Sequence, residues 1–241
     1  MATPLHTVER DLLAGAVIER PNRFVVRVAF DGGASNSDGE RVFLGDPGAL
    51  RVLQPGATVL CAPAANDDRK TDYDAVAVAD GDTWVSLRAA FANDLVEAAL
   101  ARDLLPGFGG YTQRRREPPL PDHGRSDFLL AAPDGTDVYL EVKSCTHVED
   151  GVAKFPDRQT ERGRRHLRSL IDLHGDDAAC HLLFVVQRPD ADALEPFRAV
   201  DPEFADLLVE ARDAGVGLHA ATTRFDPPAY ALADPDLPIR L

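Results

Sequence analysis

Between residues 12 and 87, short β-branched or aromatic runs alternate with clusters of turn residues, and no helical periodicity intervenes. The runs cover residues 12–18, 24–30, 41–44, 58–62, 73–78 and 83–87. Between them stand Pro21-Asn22, Asp31-Gly32-Gly33, Pro47-Gly48, Pro55-Gly56, residues 66–69 and Asp80-Gly81-Asp82. Strands at this spacing without a helix between them close into a small barrel or stack as a sandwich. Five or six strands in this length fit an oligonucleotide-binding (OB) type barrel, although periodicity alone leaves other small barrels open.

The pattern changes after Leu87. Residues 89–105 have helical character and stop at Pro106-Gly107 and Gly109-Gly110. Strand patterns follow at 111–116, 127–131 and 137–143, then a helix at 157–174 and a buried-type strand at 181–187. A second helix over 202–214 and a strand over 216–222 complete an alternation that predicts a mixed α/β layer domain. The expected division is a barrel over residues 1–87 and an α/β domain over 88–241. A chain of 241 residues is long enough to give each a core. No stretch approaches the roughly 18 apolar residues of a membrane span, and residues 1–10 do not resemble a secretory signal. Cys61, Cys145 and Cys180 are scattered and odd in number, which speaks against a disulfide framework or a cysteine zinc site. The expectation is a reduced, cytoplasmic protein with no membrane partner.

Charge bears on the choice of partner. The chain carries 40 acidic against 26 basic residues, a formal net charge of −14. Of the acids 29 are Asp, while Lys occurs only three times, at Lys70, Lys143 and Lys154. An Asp-heavy, Lys-poor surface stays hydrated where salt screens its self-repulsion. The composition resembles that of halophilic organisms, archaea among them. On its own −14 argues against nucleic acid, but in such a proteome binding depends on where the few bases sit. They concentrate at Arg114-Arg115-Arg116 and in residues 158–168, which hold five Arg and His166.

Asp127 precedes one strand pattern and Glu141-Val142-Lys143 lies in the next. Alternation puts Glu141 and Lys143 on one face with Val142 on the other. A hairpin across Pro133-Asp134-Gly135 brings Asp127 toward the same face. Two carboxylates and a lysine suit Mg²⁺ or Mn²⁺ and a phosphodiester. The same residues would also serve as an ordinary cross-strand salt bridge.

The segments Gly124-Arg125-Ser126-Asp127-Phe128 and Tyr139-Leu140-Glu141-Val142-Lys143-Ser144-Cys145-Thr146 resemble the sugar fermentation stimulation protein family. So does Phe155-Pro156-Asp157-Arg158-Gln159-Thr160-Glu161-Arg162-Gly163-Arg164-Arg165-His166-Leu167. The resemblance implies an OB-type barrel followed by a restriction-endonuclease-like PD-(D/E)XK domain, and DNA as the partner. By motif it implies Asp127 and Glu141 as metal ligands and Lys143 as the catalytic lysine. Two places depart from the family pattern. Leu44-Gly45-Asp46-Pro47-Gly48-Ala49-Leu50 lacks the Asn-Thr of the family's barrel turn. In Asn93-Asp94-Leu95-Val96-Glu97-Ala98-Ala99-Leu100 the glutamate stands one place early, a turn of about 100° on a helix. Glu97 is carried as a possible third metal-side acid.

Asp157 is the expected cap of the helix that follows it. Arg158, Arg162 and Arg165 then share a face at i, i+4 and i+7, a spacing suited to a phosphate backbone or to the chain's own acids. Arg125, Thr160 and His166 complete the candidate nucleic-acid contacts. His123, His147, His174, His181 and His219 show no metal spacing and are taken as structural. The expectation is a DNA-binding protein with a Mg²⁺-dependent phosphodiesterase site. The alternative is a regulator of sugar metabolism that uses an idle nuclease fold as a DNA-binding platform.

Overall fold

A computed structural model describes residues 4–31, 38–46, 48, 51–65, 69–120, 124–175 and 177–241. Gly32, Gly33, Pro47, Ala49, Leu50, residues 66–68 and His123 therefore lie outside the described residues. The chain starts with a two-residue strand, β1 (His6–Thr7), and continues into β2 (Leu13–Asn22), β3 (Val25–Phe30), β4 (Glu40–Phe43), β5 (Thr58–Pro63) and β6 (Tyr73–Asp80). A short β7 (Thr83–Ser86) precedes α1 (Phe91–Leu100). Then come β8 (Thr112–Arg116), β9 (Phe128–Ala131), β10 (Asp137–Cys145), β11 (Val148–Glu149), β12 (Val152–Phe155) and α2 (Glu161–Leu173). The last elements are β13 (Ala178–Val186), β14 (Ala193–Pro196), α3 (Pro202–Asp213), β15 (Gly217–Asp226) and β16 (Ala229–Asp234).

Five strands close the barrel in the order β4-β3-β2-β5-β6, and a parallel pairing of β4 with β6 (Val42↔Tyr73, Phe43↔Asp74) seals it. This is the OB arrangement. The long β2 serves two neighbours, β3 and β5, and its register shifts near Val17 and Glu19 bend it around the curve. At Gly15 a Cβ would stand 2.6 Å from the Ala29 carbonyl oxygen, so the crossing admits no side chain. Val17, Val26, Val28, Val42, Leu44, Val59, Val85 and Leu87 fill the interior. β7 extends this sheet beyond the closed ring, and the Ser86 N–H donates to the Gln187 carbonyl at 3.1 Å.

The second sheet has the order β1-β16-β15-β13-β10-β9-β8. Strands β10, β13 and β15 run parallel, joined by crossovers that carry α2 and α3. Along β13, Leu182, Phe184 and Val186 pack with Leu167, Leu170, Phe204 and Leu208 of α2 and α3. Leu183 and Val185 point to the other side and pack with Leu95, Val96 and Ala99 of α1. A central strand covered on both faces explains its nearly uninterrupted apolar sequence.

Four features depart from expectation. The first residues belong to the second sheet rather than the barrel, because β1 pairs with β16 through His6↔Tyr230. A barrel over 1–87 thus fails at its start. Helix α1 ends at Leu100, short of residue 105. Helix α2 is capped by Thr160, not Asp157: Thr160 Oγ1 accepts the Gly163 N–H at 3.0 Å. A small sheet, β11-β12-β14, and the strand β16 between β1 and β15 carry no strong sequence pattern. Among the described residues no helix is long and apolar enough to cross a membrane.

Candidate metal and nucleic-acid site

The β9–β10 register ends at Leu140↔Phe128. One further step would set Glu141 opposite Asp127, but the ladder stops because the Asp127 side chain replaces the backbone. Its Oδ2 accepts the Val142 N–H at 2.7 Å, and its Oδ1 accepts Asn93 Nδ2 from α1 at 2.7 Å. The buried Ser126 hydroxyl donates to the Leu140 carbonyl at 2.9 Å and fixes the strand end beside it. Burial pushes the Asp127 carboxyl above the ordinary aspartate range, and the nearby Glu141 charge adds to this.

Glu141 is 3% exposed. Its Oε1 accepts Lys143 Nζ at 2.6 Å and His166 Nδ1 at 2.5 Å. An ionised carboxylate can only accept, so Nδ1 carries the proton. Burial alone would raise this carboxyl, but the His166 hydrogen bond and the Lys143 charge outweigh it and hold the pKa below the usual glutamate value. Its second oxygen, Oε2, is buried with no hydrogen-bond partner among the described residues. A buried acceptor left unmatched is costly, of order 1–3 kcal/mol. The structure therefore brings Asp127, Glu141 and Lys143 together, with Asn93 and His166 holding the two acids from either side.

Other candidates fall elsewhere. Glu97 sits about one helical turn beyond Asn93, about 6 Å along the axis, and turns to β8. Gln113 Nε2 donates to its Oε1 at 2.7 Å and Arg116 pairs with its Oε2 at 3.0 Å. Both oxygens are taken, so Glu97 does not join the acids. His166 is buried against Glu141, which removes it from the phosphate contacts. Arg125 is exposed and pairs with Glu117 at 2.9 Å. Thr160 is committed to its cap, and its N–H donates to Asp201 Oδ2 at 2.9 Å. Arg158 precedes α2 and so does not share the expected helix face with Arg162 and Arg165. All three are exposed and form no ion pair among the described residues, whereas Arg164 is bound to Asp201 at 2.9 Å.

Sequence reasoning missed Asn93, the link from His166 to Glu141, and Asp201. Asp201 is fully buried and also caps α3 through the Phe204 N–H at 3.0 Å. Its position before Pro202 was the available signal.

Among the described residues no three His, Cys, Asp or Glu side chains form a ready-made metal cage. The cluster instead offers two carboxylates, hard oxygen donors of the kind that leave a cation most of its waters.

A closed OB barrel leading into a parallel-centred sheet, with paired acids and a lysine at a strand end, defines an OB plus restriction-endonuclease-like α/β protein. The sequence profile of the SfsA N-terminal OB domain matches residues 18–87, and that of the sugar fermentation stimulation protein RE domain matches residues 90–229. The chain belongs to the sugar fermentation stimulation protein family, as its motifs implied. It is 40% identical over 229 residues to the sugar fermentation stimulation protein homolog of Moorella thermoacetica, covering 93% of this chain and 95% of that one. Identity to the Methanothermobacter thermautotrophicus homolog is 37% over 215 residues, covering 89% and 87%. The solved structure of Pyrococcus furiosus SfsA in complex with Ca²⁺ superimposes with a TM-score of 0.88 at 27% identity, covering 100% of both chains.

Proposed function

We propose that this protein binds DNA and holds a divalent cation, Mg²⁺ or Mn²⁺, between Asp127 and Glu141 to hydrolyse a phosphodiester. The observation that carries the reading is Glu141 Oε2, a buried acceptor without a partner among the described residues, beside a second carboxylate that its charge perturbs. A cation would satisfy the first and relieve the second, so the residues fit it. The related Pyrococcus furiosus protein, solved in complex with Ca²⁺, supports a divalent cation in this family. When bound, the cation would polarise the phosphoryl group and offset its developing charge.

The chain's own residues supply the rest. Asn93 and the Val142 N–H fix Asp127, and His166 fixes Glu141. Lys143 Nζ, held on Glu141 Oε1, is placed to orient the attacking water and to meet charge on the phosphoryl oxygens. The exposed Arg158, Arg162 and Arg165 would contact backbone phosphates, and a cytoplasmic setting agrees with three free, buried cysteines.

One observation favours the second reading, an idle platform that only binds DNA. Lys143 and His166 already engage Glu141 Oε1, so the chain's own cations partly neutralise the cluster. Crystals soaked with Mn²⁺ separate the two. Anomalous density between Asp127 and Glu141 is expected, and its absence at saturating Mn²⁺ would remove the metal and favour the platform.

A further inference from the structure

We propose that the groove on the far side of α1 is a phosphate-binding subsite centred on Arg88. It rests on the DNA reading for its natural ligand, a backbone phosphate, but its chemistry is tested separately. The groove has a volume of about 720 Å³ and is lined by residues 4–10 with Arg88, Phe91 and Arg102. Three arginines and His6 face it, against the single acid Glu9.

Arg88 is the unusual member. Its guanidinium lies 3.5 Å from the centre of the Phe91 ring, and the residue is half-buried. Among the described residues that guanidinium makes no ion pair and no hydrogen bond. Elsewhere this acid-rich chain supplies carboxylates to its buried arginines. Arg188 carries Asp190 at 2.5 Å and Asp80 at 2.8 Å, and Arg164 carries Asp201 at 2.9 Å. A guanidinium offers five donors in a fixed fork that matches phosphate oxygens. Removing those donors from water without a partner is unfavourable. Stacking on Phe91 stabilises the cation but leaves every donor open.

Its neighbours are suited to the same ligand. Arg102 is exposed and spends one donor on the Pro4 carbonyl at 2.6 Å. Arg10 NH1 donates to the Pro63 carbonyl and reaches Asp74 at 3.3 Å, leaving its other nitrogens free. His6 packs edge-on against Phe91 with ring centroids 4.6 Å apart. Burial, and then the charge of Arg88, lower its pKa, so near neutral pH it is an uncharged ring and leaves the anion to the arginines.

The groove lies across α1 from the acids. Phe91 faces it, while Asn93, two residues on, reaches Asp127. Positions i and i+2 point to nearly opposite sides of a helix about 10–12 Å across with its side chains. The groove and the acids therefore lie on opposite sides of α1, and a strand that reaches both has to pass around that helix.

Fluorescence anisotropy with a labelled DNA duplex at several salt concentrations, and calorimetry with inorganic phosphate, test this in the full chain. The expectation is that Arg88→Gln and Arg102→Gln each weaken DNA binding and lower its salt slope by about one. Arg88→Lys should restore part of the loss, since it keeps the charge without the fork. Arg102 is exposed, so its variant remains informative if Arg88→Gln folds poorly. Unchanged DNA binding combined with inorganic phosphate that binds wild type but not Arg88→Gln would support the subsite and assign it to a free phosphate. Wild type that binds no DNA would defeat the functional reading, and the phosphate titration alone would then decide the groove. If both variants match wild type with DNA and with inorganic phosphate, the subsite is overturned.

Discussion

The barrel and the second sheet are built of similar short apolar strands, yet they bury different things. The barrel's core cluster is apolar, from Val17 and Val26 to Val85 and Leu87, and its buried charges, Asp46 and Asp74, are 7–8% exposed. The second domain encloses Glu141, His166, Gln187, Arg188 and Asp201, each at most 5% exposed. An apolar core needs only the transfer of its area from water. A buried charge is tolerated only with partners, and the partners have to come from separate elements. Asp201 shows the structural use of this arrangement: it caps α3, accepts the Thr160 N–H and pairs with Arg164, which keeps its carboxyl below the ordinary range despite burial. Glu141 is different because its partners satisfy one oxygen and leave the other. Asp201 is thus matched on both oxygens, whereas Glu141 keeps one unmatched among the described residues.

Thermal unfolding with and without Mg²⁺ can break this contrast. Leu87→Ala in the barrel is expected to cost about 2–5 kcal/mol, with the same loss in both conditions. Glu141→Ala strands Lys143 and His166 and should cost a comparable amount, about 3–5 kcal/mol, but it should also abolish any Mg²⁺-dependent gain. Equal Mg²⁺ responses in the two variants would mean that Glu141 is as structural as Leu87.

A smaller effect separates the two acids. A ligand at about 100 times its Kd stabilises by about 2.7 kcal/mol, and Asp127→Asn should lose that gain while keeping the fold. Without metal, the two carboxylates respond oppositely to pH. The Asp127 pKa is raised, so its contribution is present below the unfolded carboxylate pKa and lost as pH rises through the folded value. The Glu141 pKa is lowered, so its contribution is present above the unfolded value and lost as pH falls through the folded one. Urea unfolding across the acid range should therefore show Asp127→Asn flattening the loss on the rising side. A variant that parallels wild type at every pH would contradict the raised Asp127 pKa that burial and then Glu141 produce.

The smallest and most general effect concerns salt. A net charge of −14 repels itself at low ionic strength. Circular dichroism should show the unfolding midpoint rising from about 0.1 to about 3 M KCl, where the Debye length falls from about 10 Å to under 3 Å. Equal stability at both ends would remove the halophilic reading of the composition.

How far the sequence could be read follows from the range of the interactions. The barrel strands were legible because turn clusters bracket each one, and the pairing of Glu141 with Lys143 was legible because alternation is local. The pairing of His6 with Tyr230 was not, since nothing local marks a two-residue strand that joins opposite ends of the chain. His166 meets Glu141 only because the α2 crossover returns over β10. Glu97 misled for the same reason: its helix position was readable, but the approach of Arg116 and Gln113 from β8 was not.

The central claim is that the Asp127, Glu141 and Lys143 cluster performs metal-dependent phosphodiester hydrolysis. The direct measurement is cleavage of end-labelled DNA by wild type and Lys143→Ala with Mg²⁺, Mn²⁺ or Co²⁺, with DNA binding followed in parallel. Wild type is expected to cut, and Lys143→Ala to bind DNA nearly as well while cutting about 10²–10³-fold more slowly, as when a transition-state donor is removed. Wild type that binds DNA and never cuts it with any of the three cations would contradict the account and leave the nuclease fold as a platform.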